Sequence, residues 1–83
     1  MKLKIVEVWW LDAYSRAGWY SYDRKKHHSE VTLVPTFGIE VDHTDKWLIL
    51  AFGYNKDAGD FVGEFSIPAG MVRKKRVIKT VEV

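Results

Sequence analysis

The sequence predicts an all-β domain. Three observations carry that expectation: short apolar runs that alternate with period two, clusters of Gly, Pro, Asp and Asn between them, and no apolar stretch at helical spacing. Eighty-three residues make a single domain, 1–83, with room for only a small core. At 47% apolar and 14% aromatic content that core can form without cross-links, and the absence of cysteine excludes disulfides and thiolate metal sites. No run approaches the ~18 apolar residues of a membrane span. Met1-Lys2-Leu3-Lys4 leads directly into a strand pattern, with no signal-peptide core behind it. A cytoplasmic protein with no membrane partner is the expectation.

Residues 2–10 form the first strand. Leu3 and Ile5 alternate with Lys2 and Lys4, and then the phase changes to Val6, Val8 and Trp10. Such a change predicts a β-bulge, because one extra residue re-aims every side chain after it. Trp9 and Trp10 are strand neighbours and so face opposite sides; the one left outside needs a covering loop or a second chain. Both are therefore candidate contacts of a homo-oligomer.

Residues 11–30 carry no sustained period and read as one long first loop, of the kind that is often functional. Residues 31–42 follow as a strand. Val31, Leu33, Phe37, Ile39 and Val41 are expected inward, Thr32, Val34, Thr36, Glu40 and Asp42 outward. Pro35 cannot donate to a ladder, so it marks a bulge or a missing neighbour, and Gly38 marks a sharp bend. The run Trp47–Phe52, bounded by Asp42–Asp45 and by Gly53–Asp60, reads as a strand buried on both faces. Leu48, Leu50 and Phe52 would share one face, Trp47, Ile49 and Ala51 the other.

A fourth strand spans residues 61–67, with Phe61, Phe65 and Ile67 on one face. Pro68–Val72 cannot continue it and reads as a tight 3₁₀-like turn. Residues 76–83 close the domain, with Val77, Val81 and Val83 aligned. The prediction is five strands. Charge is unevenly spread over them, −4 for residues 40–64 and +4 for residues 65–83, although the chain carries only +2 overall.

Two groups carry binding chemistry. Trp19, Tyr20 and Tyr22 precede Arg24, Lys25 and Lys26, an interleaving in which rings stack on bases and cations hold phosphates. The same rings suit a proline-rich peptide, or a plug over the core end. Arg73-Lys74-Lys75-Arg76 is the second group, a phosphate grip on one reading and a charged, self-protecting strand edge on the other. His27, His28 and His43 with Asp42 and Asp45 lack metal-ligand spacing, so no metal and no cofactor are expected. Ser15, Ser21, Ser29 and Ser66 lie in no nucleophile elbow, and Asp42/Asp45 and Asp57/Asp60 sit where turns favour Asp. A non-enzymatic protein is the expectation.

Two resemblances bear on this. Gly63 followed by Ile67-Pro68-Ala69-Gly70-Met71-Val72 resembles the turn before the final strand of SH3-like barrels. The order Val8-x-Trp10-x-Asp12, Gly18-Trp19, Gly38, Trp47–Ala51 and Ile67-Pro68 is similar to small uncharacterised bacteriophage proteins, from which the basic Arg24–His28 stretch departs. They imply a five-stranded SH3-like barrel, encoded by a phage and located in the host cytoplasm. The expected function is the holding of a small anionic or nucleotide ligand by an oligomer. A nucleic-acid-binding barrel and a viral protein-interaction module are the alternatives.

Overall fold

A computed structural model describes residues 1–11 and 33–83. Seven strands follow in order: β1 Lys2–Leu11, β2 Leu33–His43, β3 Trp47–Ala51, β4 Gly53–Asn55, β5 Asp60–Val62, β6 Phe65–Pro68 and β7 Val72–Glu82. Five of them build one antiparallel sheet in the order β6-β3-β2-β1-β7, and β4 and β5 form a separate two-stranded ribbon. The described residues contain no α-helix, and a single 3₁₀ turn, Ala69–Met71, precedes the last strand. Among them no helix is long and apolar enough to cross a membrane.

The inner face of the sheet is dry. Val6 and Val8 of β1, Leu48 and Leu50 of β3 and Ile67 of β6 form one fully buried cluster, against which Trp10, Phe65 and Val72 pack. Removing these branched side chains from water is the main force holding the sheet together. Trp10 is the indole that turns inward. Its Nε1 donates to Thr36 Oγ1 at 2.8 Å, and its ring meets Phe65 edge-on at 5.6 Å, so its polar atom is satisfied where water is thin.

Register explains where the sequence reading of β2 inverts. Thr36 lies opposite Val8, Gly38 opposite Val6 and Val34 opposite Trp10, so the even residues of β2 face inward. Leu33, Phe37 and Val41 are exposed instead, Phe37 to 57%. The sheet is apolar on both sides here, and alternation alone cannot say which apolar side is the inner one. Gly38 is held by space: a Cβ there would meet Leu50 Cβ and the Ala51 carbonyl at 3.1 Å. Pro35 sits where β3 no longer runs alongside β2, so no ladder bond is lost on that side.

The phase change in β1 also has a different origin from the one expected. β1 pairs with β2 without a break through Ile5 and Val6, so its side chains alternate regularly. The irregularity falls on the other neighbour: Ile5 pairs with Lys79 and Val6 with Val77, which leaves Ile78 of β7 as the extra residue. Leu3 and Ile5 therefore stay on the outer face, while Val6, Val8 and Trp10 line the inner one. A second bulge leaves Arg73 unpaired between Val72 and Lys74, and a third puts Val41 between Glu40 and Asp42.

Three more expectations shift. The run 61–67 is two strands, broken at Gly63, whose φ of 72° is left-handed and whose missing Cβ makes room for the Phe52 ring. Phe61 thereby leaves the face of Phe65 and Ile67 and pairs with Tyr54 in the ribbon. Phe52, 70% exposed, folds over Gly63 instead of joining Leu48 and Leu50, and Trp47 is half exposed while Ala51 is buried. The last strand begins at Val72, so Arg73–Arg76 are strand residues and Val77 is exposed. The shifts around Phe52 and Gly63 share one cause: consecutive short strands separated by one or two residues read as one in a linear pattern.

Candidate functional site

The outer face of β7-β1-β2 brings aromatic and cationic side chains together. Cross-strand partners share a face, so Phe37, Glu7 and Arg76 form one row, Pro35, Trp9 and Lys74 the next, and Leu33 with Leu11 the last. Trp9 is the outward indole. Its Nε1 donates to Glu7 Oε1 at 2.8 Å, and Arg76 reaches Glu7 Oε2 at 2.8 Å, so one carboxylate fixes both the ring and the guanidinium. That indole hydrogen bond is the main influence holding the Glu7 carboxyl below its ordinary range; burial opposes it and Arg76 reinforces it. Glu7 is consumed by these contacts, and Lys74, beside Trp9, makes no ion pair with a described residue.

The four cations at 73–76 do not form one cluster. Alternation along β7 sends Lys74 and Arg76 outward with Trp9 and Glu7. Lys75 points to the inner face, where it pairs with Glu40 and approaches His43 Nδ1 at 2.9 Å. Arg73 donates to the Gly70 carbonyl at 2.7 Å, which ties the 3₁₀ turn to β7. Two cations of the four thus remain on the aromatic face, and the other two serve the fold.

Trp19, Tyr20, Tyr22, Arg24, Lys25 and Lys26 lie outside the described residues, as do His27 and His28. Leu11 and Leu33, the described residues that flank them in sequence, are paired neighbours on this same face. Of the oligomer candidates, Trp9 is on the surface face and Trp10 belongs to the core. Of the paired carboxylates, Asp45 and Asp57 sit in turns while Asp42 belongs to β2 and Asp60 to β5; in those turns Thr44 Oγ1 accepts from the Lys46 and Trp47 amides at 3.2 and 3.0 Å, and Asn55 Oδ1 accepts from the Asp57 and Ala58 amides at 3.0 and 3.2 Å. Among the described residues no three His, Asp or Glu side chains gather as metal ligands would.

Sequence reasoning missed a second feature on this outer face. A cavity of about 200 Å³ is lined by Leu3 and Ile5 of β1, Ile39 of β2, Val81 of β7, Val83, Tyr54 of β4 and Lys56 from the turn that follows it. The signal lay in Leu3 and Ile5, which alternate out of phase with Val6 and Val8 and therefore belong to another apolar surface.

The chain matches no family model, and comparison with curated proteins and with solved structures returns no match.

Proposed function

We propose that the chain is a non-enzymatic binding protein that holds a nucleotide-like anion on the outer face of β7-β1-β2. The observation that carries the reading is the register placing Trp9 beside Lys74, one row from Phe37 and Arg76. A base stacked on an aromatic face gains about 1–3 kcal/mol, and a neighbouring cation neutralises the attached phosphate. The hydrogen bond to Glu7 holds the indole in one orientation, so little order is lost when a ring stacks on it. The aromatic and basic residues at 19–26 enter the proposal on their sequence chemistry alone.

The SH3-like barrel belongs to the same proposal. It is supported by the sheet's two edge strands, β6 and β7, being joined by a three-residue 3₁₀ turn. It is supported too by the Lys75–Glu40 pair, which joins inner-face positions of β7 and β2 across β1. Self-association is proposed with Trp9, not Trp10, as the available indole. The phage resemblance would place such a protein in an infected cell's cytoplasm.

The test is a fluorescence titration with a mononucleotide and with a short single-stranded oligonucleotide, on wild type, Trp9→Ala and Lys74→Ala. A nucleotide site predicts saturable quenching that Trp9→Ala abolishes and Lys74→Ala weakens with a flatter salt dependence. Binding of the oligonucleotide alone transfers the assignment to a nucleic-acid surface. Binding that survives Trp9→Ala in a folded protein, or no binding of either probe, rejects the reading.

A further inference from the structure

We propose that the outer-face cavity is a binding site for a small amphipathic monoanion: a body the size of one aromatic ring, carrying a carboxylate. The site is independent of the Trp9 surface and uses other residues.

Its size sets the body. A cavity of about 200 Å³ exceeds the ~150 Å³ that accepts benzene when lined by aliphatic side chains, leaving room for a short substituent. Its lining sets the chemistry. Leu3, Ile5, Ile39 and Val81 supply only hydrocarbon, and the Tyr54 ring, steadied at 5.1 Å against Phe61, forms part of the wall. Water held there would find few hydrogen-bond partners, so an apolar body displaces it readily.

Charge sets the head group. Lys56 has the one charged side chain among the residues lining the cavity, and it forms no ion pair with a described residue. The Met1 amino group is already engaged by the Val83 carbonyl at 3.1 Å and by Glu82 at 3.5 Å, and Lys79, the strand partner of Ile5, is not among the lining residues. One ammonium at an apolar mouth favours a singly charged acid over its neutral analogue, because a charge-assisted hydrogen bond is worth roughly twice a neutral one. A nucleotide, with its bulk and its multiple charges, does not suit a cavity of this volume.

The experiment compares 3-phenylpropionate with 3-phenylpropanol, which differ only at the head, by methyl-detected NMR titration of the full chain. The acid is expected to shift the methyls of Leu3, Ile39 and Val81 and to bind about tenfold more tightly than the alcohol. Lys56→Gln, an exposed turn substitution that leaves the core intact, should remove most of that ratio while the alcohol still binds. Trp9→Ala should leave both titrations unchanged, so this site and the nucleotide face stand or fall separately. Equal affinity of acid and alcohol, an unchanged ratio in Lys56→Gln, or shifts centred on Trp9 and Phe37 overturn the proposal. So does the absence of any shift up to ~10 mM of the acid.

Discussion

The inner and outer faces of the β1–β2 pair are made from adjacent residues and behave differently. Val6 and Val8 are completely buried among Leu48, Leu50 and Ile67. Ile5, their immediate neighbour, is half buried and borders a cavity, and Phe37, opposite Glu7, is mostly in water. The residue types hardly differ; what differs is what lies opposite. β3 and β6 supply large aliphatic side chains to the inner face, whereas among the described residues the outer face meets only Tyr54 and Lys56 of the short β4–β5 ribbon and its turn. Hydrophobic patterning determines which residues form a face, and the partner determines whether that face becomes core or site.

The largest expected effect tests the inner face. Leu50→Ala should cost about 2–5 kcal/mol through lost burial and a residual cavity. For a domain of this size that is a large share of the total, typically ~5–15 kcal/mol. Chemical denaturation at constant m-value measures it, and a loss below about 0.5 kcal/mol would contradict the burial. Ile5→Ala sharpens the comparison. A half-buried side chain beside an existing opening should lose only about 1–2 kcal/mol, since much of its surface is already hydrated. Equal losses at positions 5 and 50 would mean that the two faces are packed alike.

The smallest effect concerns Glu7. Its carboxyl titrates below the ordinary value in the folded chain, so the stabilisation is fully present above the unfolded pKa and fades as pH falls through the folded one. Acid denaturation of Glu7→Gln should therefore run parallel to wild type at neutral pH. It should lack the part of the wild-type decline that lies on the acid side of the ordinary carboxylate range. The indole emission of Trp9 should change over the same interval in wild type alone, because its Nε1 loses a charged acceptor.

Much of the fold was legible in the chain. The first three strands, the turns at Thr44 and Asn55, the 3₁₀ turn after Pro68 and the opposed directions of Trp9 and Trp10 follow from local chemistry. What local chemistry could not supply was the third dimension. Phe37 and Val41 look like core because they are apolar and alternate, yet the register with Val6 and Val8 assigns the inner face to Thr36 and Gly38. Arg73–Arg76 look like one charged patch because they are consecutive, yet a strand divides them between two faces. Leu3 and Ile5 signalled a second apolar surface, but the cavity itself was not legible, since its lining is drawn from four separate stretches of sequence.

The two edges of the sheet are unequal, and this bears on how copies of the chain can assemble. β6 offers four residues and ends in Pro68, which has no amide hydrogen to give. β7 offers eleven, paired among the described residues with β1 alone and interrupted by bulges at Arg73 and Ile78. A sheet with two serviceable edges can add copies without end, the route to fibres. A sheet with one has a valence of one: two copies that met antiparallel along β7 would satisfy each other about a two-fold axis and leave no template for a third. The shortness of β6 is, in that sense, a chain terminator.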